Sequence, residues 1–563
     1  MGTSAHIDRF VLDHLPPPER LPEFVFSLPE LSYPERLNAG VELLRRAVEA
    51  AGPDGRALID FDHEFSWSRV DLISSRMAKV LVEQMGLVPG NRVLLHGPNS
   101  AWTVLAWFAI LKAGGVVCAT MPMLRAAELA TVIDKAKISH ALVYASLAEG
   151  VEDARSATAS LARIMTSAEL QRAAQALPPG TGFDAVDTAA EDPALIAFTS
   201  GTTGQPKGCV HFHRDILAMA DTFAKHTLDL APGDIVVGTP PIAFTFGLGG
   251  LVVFPASVGA ATAFAPRPGF DALAETVERC KATALFTAPT GYRALLKLAD
   301  QHDLSSLRTC VSAGEALPAA TSDAWREATG VRIVDGIGST EMIHIFISAS
   351  GDAIRPGATG KPVPGYEARI IDADGEPLPP GETGRLAVRG PTGCRYLDDP
   401  RQSAYVRDGW NLTGDVYRLD EDGYFWFVAR ADDMIISSGY NIGAPEVENA
   451  LLRHPAVAEA AVIGKPDQQT GQAVVAFVTL KQGNDPTDAL NSELREWVAQ
   501  EIGKFARPQQ IRFSEGLPKT RSGKIMRRLL REIVTSDKVT GDITTLEDLS
   551  VINRLASAQE DED

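Results

Sequence analysis

Up to about residue 360, short apolar runs rich in Val and Ile alternate with longer stretches of helical periodicity. Residues 91–96 read as a strand, 100–112 as a helix and 115–120 as the next strand. Residues 194–198, 235–239, 283–287 and 309–313 repeat the strand pattern. Alternation of this kind predicts α/β layers with largely parallel sheets. Beyond Gly360 the texture changes. Residues 366–374, 384–390 and 423–429 are short strands separated by Gly, Pro and Asp turns, which predicts a small antiparallel β subdomain. A further compact α/β pattern starts at about Ala431. Pro445 stands where a first helical turn begins, ahead of Val447, Leu451 and Leu452. Residues 456–463 and 473–480 read as strands. Leu490, Leu494, Trp497, Val498 and Ile502 then line one helical face.

Two segments look superficially membrane-like. Residues 101–119 are apolar but broken by Lys112, Gly114 and Gly115. Residues 238–266 carry no charge but hold five glycines and four prolines. Such punctuation predicts buried strands and turns beside a ligand cleft rather than a span of about 20 apolar residues.

Composition narrows the function classes. The chain has 563 residues, 45% hydrophobic and 22% charged, with a net charge of −19. That is globular composition, long enough for several domain-sized units. It excludes wholesale disorder and disfavours a nucleic-acid coat or a membrane-surface binder. The five cysteines show no CxxC or disulfide-framework spacing, and residues 1–10 lack a signal-peptide pattern. A cytoplasmic protein with reduced thiols is expected. The tail ends in five polar residues, four of them acidic, with no assigned role.

The strongest local signal runs from Thr199 to Gly208, directly after an apolar strand. Four hydroxyls, three glycines and Lys207 in ten residues make a donor-rich loop that can wrap phosphate oxygens. The spacing is not that of a Walker A loop, and a polar surface turn is the plain alternative.

This loop resembles the phosphate loop of the adenylate-forming superfamily, which includes acyl-CoA synthetases, peptide-synthetase adenylation domains and luciferases. Further segments match family motifs in order: Asp335 to Glu341 (Asp-Gly-Ile-Gly-Ser-Thr-Glu), Asn411 to Asp415, Arg430 to Asn441, and Pro518 to Lys524. The resemblance covers roughly residues 60 to 530. It implies an N-terminal adenylation domain (1–430) of two α/β subdomains plus a small β subdomain. A small, mobile α/β C-terminal domain (431–540) and a tail (541–563) follow. The implied substrates and cofactors are ATP, Mg²⁺, a carboxylic acid and coenzyme A.

The reaction so implied joins a carboxylate to the α-phosphate of ATP and expels pyrophosphate. Two anions must meet, so the site needs cations and aimed donors. The resemblance assigns ATP contacts to Thr199, Ser200, Gly201, Thr202, Thr203 and Gly204, with Lys207 adding a charge. Gly314, Glu315, Asp335, Gly336, Ile337, Gly338 and Ser339 would lie along the nucleotide, and Phe427 beside it. Thr340 would donate to the α-phosphate and Glu341 would hold Mg²⁺, which suits one carboxylate plus phosphate oxygens. Outside this context Glu341 would read as a glutamate at a helix N-terminus. Asp415 and Arg430 would take the ribose hydroxyls. Ile337 departs from the family, where an aromatic usually covers adenine.

Lys524 would bridge the entering carboxylate and the α-phosphate. Six basic residues lie from Lys519 to Arg531, a run that elsewhere would suggest nucleic-acid binding. Asp432 matches the hinge about which the small domain rotates after adenylation. Ser438, Gly439 and Tyr440 match the CoA tunnel, with Gly439 leaving room for the pantetheine arm.

The segments 243–249 and 336–346 are closest to benzoate-type aryl-CoA ligases. They place Phe244, Phe246, Gly247, Ala313, Gly338, His344 and Ile345 around the acid, with two flat phenylalanine walls. The reading of packed core residues stays open beside it. His211 and His213 form an HxH pair, but without a third ligand this is weak evidence for a metal. The N-terminal lead and the Ser438–Gly443 segment look most like 2-aminobenzoate-CoA ligases; benzoate and 2-hydroxybenzoate are the near alternatives. Other readings are a medium-chain acyl-CoA synthetase, a stand-alone aryl-acid adenylating enzyme loading a carrier protein, and a non-catalytic binder on the same fold. No nucleic acid or membrane partner is expected, and a homodimer is left open.

Overall fold

In the computed structural model, residues 3–61, 63–199, 206–519 and 525–535 are described. The residues from Arg92 to His96 and from Val116 to Thr120 are buried throughout, as parallel strands covered on both faces must be. They form the middle of a six-stranded sheet. His140–Val143 and Arg163–Thr166 extend it parallel on one side, and Pro193–Thr199 on the other. Lys207–Phe212 closes that edge antiparallel.

The apolar run at 101–112 is a helix, Ala101–Lys112, buried at every position. A helix that is hydrophobic all round belongs in a core, and this one lies between the two large sheets. Ser100 caps it by accepting from the Thr103 amide. Lys112 ends it with its ammonium 2.6 Å from Asp71 and 2.9 Å from the Ser75 hydroxyl. Among the described residues no helix is long and apolar enough to cross a membrane.

The second large sheet has nine strands. Its middle strands, Ile235–Gly238, Ala261–Phe264, Ala284–Thr287, Thr309–Ser312 and Ile333–Gly338, run parallel. Arg56–Asp60 joins this sheet parallel to Ala261–Phe264, a strand that the sequence pattern did not reveal. Residues 238–266 depart from the expected strands and turns. Only Ala261–Phe264 is a strand; Thr245–Leu248 and Phe254–Val258 are α-helical, joined by a π-helical turn over Gly249–Val253. Gly259, at φ 75°, ends the second helix, but Gly247 and Gly250 serve close approach. A Cβ at Gly250 would stand 2.6 Å from the Phe286 ring, and one at Gly247 would stand 2.1 Å from the Pro241 carbonyl oxygen.

The antiparallel subdomain is a five-stranded sheet of Glu367–Ile371, Thr383–Arg389, Trp410–Leu419, Val406–Arg407 and Phe425–Arg430. The C-terminal domain has its own core of Val447, Leu451, Val462, Ala476, Leu494 and Val498. Pro445 sits in the first turn of Ala444–Leu452, as its fixed φ favours. The helix Asp488–Glu501 packs beside it, with the Trp497 indole donating to the Ala450 carbonyl at 2.9 Å. The hairpin Val457–Asp467 and Gly471–Leu480 pairs parallel with Gln510–Phe513. All five cysteines are unpaired, and four are buried.

Candidate active site

The carboxyl ends of parallel strands gather loops from neighbouring strands on one rim, where α/β folds bind ligands. Thr199 pairs with Lys207 in register, so the two ends of the loop stand side by side at that rim of the first sheet. Ser200, Gly201, Thr202, Thr203 and Gly204 lie outside the described residues. In the second sheet Ser312 pairs with Asp335, so Ala313, Gly314 and Glu315 leave beside Gly336, Ile337 and Gly338. Gly314 takes a left-handed φ of 92°.

Strand Ile333–Gly338 returns antiparallel as Ile345–Ser348, and Ser339 to His344 form the tip. Gly338 is required there: a Cβ would stand 2.7 Å from the His344 carbonyl carbon and oxygen. The Ser339 hydroxyl accepts from the Met342 amide at 3.2 Å and pins the turn. Ile343 is fully buried at φ 65°, a costly conformation for a β-branched residue and one typical of functional tips. Behind the tip, His211 Nε2 lies 2.8 Å from the Thr340 carbonyl oxygen, which makes it a donor there.

This tip brings Glu341 to Lys207. The Lys207 ammonium is 3.5 Å from Glu341 Oε1 and donates to the Tyr396 hydroxyl at 2.7 Å. Tyr396 in turn donates to Glu341 Oε1 at 2.5 Å. Burial first, then the Glu341 carboxylate, push the Tyr396 phenol far above its ordinary range, so it keeps its proton. Tyr396 was not anticipated from sequence. The isolated bridge between Cys209 and Tyr396, across residues far apart in the chain, is what places it.

Asp415 and Arg430 face each other in register on adjacent strands, with Arg430 donating to Asp415 Oδ1 at 2.9 Å. Burial raises the Asp415 carboxyl above its ordinary value, and Arg430 offsets only part of that rise. Gly414, at φ 77°, lets the guanidinium pass: its Cβ would stand 3.1 Å from Arg430 Nη2. Phe427 is half-buried against Tyr417, ring centroids 5.4 Å apart.

Asp335 has a buried Oδ1 that accepts no hydrogen bond, and burial pushes its carboxyl up to about 7 from 3.8. Between those values the folded chain holds a proton that the unfolded chain has lost. Stability therefore falls as pH rises from about 4 to about 7, then levels. Asp335→Asn should raise the melting temperature of the nucleotide-free protein more at pH 8 than at pH 4. An equal shift at both values would contradict the assignment.

His344 is buried with no ring-nitrogen hydrogen bond of ordinary geometry; burial lowers it to about 3, opposed only in part by the Phe246 main chain, so it is neutral. Its ring stands 4.6 Å from Phe254, 5.3 Å from Phe223 and 5.8 Å from Phe246. Gly249 makes the space: a Cβ there would lie 2.5 Å from His344 Nε2. Phe223 belongs to a second π-helical turn, Ala220–Ala224, so both such turns abut this one imidazole. Phe246 is thus placed beside His344. Phe244 is half-buried and makes no ring contact among the described residues, so only one of the two expected walls stands at the imidazole. Ile345 is buried under the hairpin. Among the described residues no cluster of three metal-ligating side chains exists. The HxH histidines are otherwise engaged, His213 accepting from the Ala39 amide at 3.1 Å.

In the C-terminal domain Lys524 lies outside the described residues. The ends of its segment are fixed. Lys519 and Ile525 form an antiparallel bridge, and the Lys519 ammonium holds both oxygens of Glu459 at 2.7 and 2.9 Å. Arg527 binds Glu448 through Nη2 at 2.7 and 2.8 Å. Burial disfavours the Arg527 charge, but Glu448, Asp433 and Glu315 more than offset it. Glu315 belongs to the loop after Ser312, so a carboxylate of the N-terminal domain adds to the field at Arg527. Asp432 is exposed, and Arg531 donates to its carbonyl at 3.2 Å and to the Asp433 carboxylate. Ser438 (φ 51°) and Gly439 (φ 81°) form a tight turn between Met434–Ser437 and Tyr440–Gly443. No atom lies within 4 Å of where a Gly439 Cβ would be. The left-handed φ alone favours glycine there. Tyr440 is exposed and stacks on Phe505 at 5.0 Å.

Residues 44–395 match the AMP-binding enzyme family, and residues 446–524 match the AMP-binding enzyme C-terminal domain. The benzoate–CoA ligase of Thauera aromatica is 33% identical over 512 residues, covering 89% of this chain and 97% of its own. A crystal structure of the anthranilate CoA ligase AuaEII in complex with anthranoyl-AMP is similar at 35% identity and a TM-score of 0.85, over 90% of this chain and 99% of that one. A benzoate CoA ligase from Burkholderia xenovorans LB400 is similar at 31% identity and a TM-score of 0.79, over 88% and 100%. The chain belongs to the AMP-binding, adenylate-forming enzyme family, and it is an AMP-forming acid–thiol ligase of the acyl- and aryl-CoA ligase group.

Proposed function

We propose that this ligase activates an aromatic carboxylic acid, 2-aminobenzoate above benzoate and 2-hydroxybenzoate, and transfers it to coenzyme A through an acyl-adenylate. The carrying observation is the buried, neutral, unpartnered imidazole of His344 set among Phe223, Phe246 and Phe254 behind the Glu341 hairpin. Aromatic walls suit a flat ring. A neutral imidazole offers one donor and one acceptor, and an ortho amino group or the carboxylate can engage them. The similarity to a ligase whose structure holds anthranoyl-AMP supports the same choice. A medium-chain acid offers only its carboxylate, with no ortho group for the second nitrogen and no flat ring for the aromatic walls, which argues for the aryl reading.

The same reading assigns the nucleotide roles. Lys207 and the residues from Thr199 to Gly204 hold phosphate; Gly314, Glu315, Asp335, Gly336, Ile337, Gly338, Ser339 and Phe427 flank the nucleotide; and Asp415 with Arg430 holds the ribose. Thr340 donates to the α-phosphate. Glu341 fits Mg²⁺: its Oε2 accepts no hydrogen bond among the described residues, and Mg²⁺ takes one or two carboxylates plus phosphate oxygens. When bound, that ion would neutralise phosphate charge and orient the leaving pyrophosphate. The domains divide at 430/431, with Asp432 as hinge and Ser438, Gly439 and Tyr440 lining the thiol's path after rotation. The unpaired cysteines favour a cytoplasmic, reducing setting.

The test is kcat/KM across benzoate, 2-aminobenzoate, 2-hydroxybenzoate, phenylacetate, hexanoate and octanoate. 2-Aminobenzoate should exceed benzoate by about tenfold, the worth of one net hydrogen bond. Benzoate ahead of 2-aminobenzoate would overturn the ortho assignment. Octanoate ahead of all the aryl acids would overturn the aryl reading and leave the nucleotide site standing.

A further inference from the structure

We infer that Tyr396 is a positioning residue that takes one oxygen of the Glu341 carboxylate, holding Oε1 off Lys207 and leaving Oε2 for the metal of the nucleotide complex. The inference rests on the proposed reading of Glu341. Lysine can only donate and an ionised carboxylate can only accept; a phenol does both. Tyr396 stands between them in that sense, accepting from Lys207 Nζ at 2.7 Å and donating to Glu341 Oε1 at 2.5 Å. The direct lysine–carboxylate separation is 3.5 Å, so the phenol keeps the ion pair from closing. The Tyr396 ring also lies under the ammonium, its centroid 4.7 Å away, with the Tyr405 ring at 5.9 Å.

The phenol is itself held. Tyr396 is 1% exposed, and its amide donates to Gln402 Oε1 at 2.9 Å. Gln402 Nε2 donates to the carbonyls of Cys394 and Arg20 at 3.1 and 2.8 Å. A buried side-chain amide thus fixes the tyrosine's main chain to the N-terminal lead, and the tyrosine fixes the charged pair. Without the hydroxyl, Lys207 and Glu341 are free to close on each other, which would withdraw the carboxylate from a metal and the ammonium from phosphate. Partners that orient a metal ligand typically account for 10- to 100-fold in metal affinity or activity.

The experiment measures Mn²⁺ binding by electron paramagnetic resonance at saturating ATP without acid, so that no turnover occurs. Tyr396→Phe should weaken Mn²⁺ by about 10- to 100-fold and raise the Mg²⁺ concentration for half-maximal rate in step. Tyr405→Phe, which loses a hydroxyl bonded to Ser339 rather than to Glu341, should change it less than about threefold. A lowered melting temperature of Tyr396→Phe with unchanged Mn²⁺ affinity would make the hydroxyl merely structural and overturn the inference. Should that variant not fold, Gln402→Leu answers instead: releasing the Tyr396 main chain should weaken Mn²⁺ several-fold, and an unchanged affinity would overturn the inference. Failure of the wild type to form AMP from any acid would count against the functional reading, whereas normal wild-type turnover with an unaffected Tyr396→Phe metal affinity would count against Tyr396 alone.

Discussion

Lys524→Ala should slow acyl-adenylate formation by about 10²- to 10³-fold, the usual effect of removing one aimed charge from a developing anion. Thiolysis of supplied acyl-AMP should change by less than about threefold, a small fraction of that effect. The two half-reactions separate because their demands on charge differ. Adenylation brings a carboxylate to a polyphosphate; thiolysis begins after pyrophosphate has left. The described residues on either side of the Lys524 segment are held in place. The Lys519–Ile525 bridge fixes its ends, and Arg527 beyond it meets Glu448, Asp433 and Glu315. The test is pre-steady-state formation of acyl-AMP, alongside acyl-CoA formation from synthetic acyl-AMP. Equal loss of both steps would contradict a lysine confined to adenylation.

The largest stability effect should come from Arg395. Its guanidinium is 1% exposed, donates to Asp215 Oδ2 at 2.6 Å, and lies between the rings of Phe24 and Phe212 at 4.2 and 4.1 Å. Burial alone would raise the Asp215 carboxyl, but Arg395, His211 and Arg214 hold it well below the usual carboxylate range. Arg395→Leu strands that charge and should destabilise the N-terminal domain by about 3–5 kcal/mol. Arg395→Leu with Asp215→Leu should restore most of the loss, because a buried pair replaced by apolar groups is often neutral. Urea unfolding followed by tryptophan fluorescence reads both. A single variant within about 1 kcal/mol of wild type, far below that penalty, would show the pair to be dispensable.

The two residues are linked through the site's rear wall. Asp215 Oδ2 lies 3.8 Å from His211 Nδ1, and the other ring nitrogen bonds the Thr340 carbonyl beside Glu341. Rigidity at the hairpin tip therefore depends on a buried charge outside it, as preorganised sites generally do.

Most strands are legible because the parallel ones are buried at every position and mostly apolar. Arg92–His96, Val116–Thr120 and Thr309–Ser312 fall within a residue of the sequence reading. The run at 238–266 misled because glycine has two uses. It was taken as punctuation, whereas Gly249 and Gly250 let helical backbone approach His344 and Phe286. Arg56–Asp60 escaped notice since it adds to the sheet beside Ala261–Phe264, a pairing across some two hundred residues that no local pattern encodes.

The site was legible where charge and motif coincide, as at Lys207, Glu341, Asp415 and Arg430. It was illegible where a neutral residue works through contacts. Tyr396 reads as an ordinary aromatic in Cys394-Arg395-Tyr396-Leu397, and only the fold brings its hydroxyl between two charges. His344 was read as either ligand or packing. The structure shows it buried among rings with both nitrogens unpaired, a state that packing alone does not favour.

An acid-dependent acyl-adenylate stands at the centre of the proposed reaction. Exchange of labelled pyrophosphate into ATP, with Mg²⁺ and 2-aminobenzoate but no CoA, tests it most directly. Exchange that requires the acid, followed by AMP and acyl-CoA when CoA is added, is the predicted result. Absence of exchange with every acid of the panel, or ADP and phosphate as products, would contradict it.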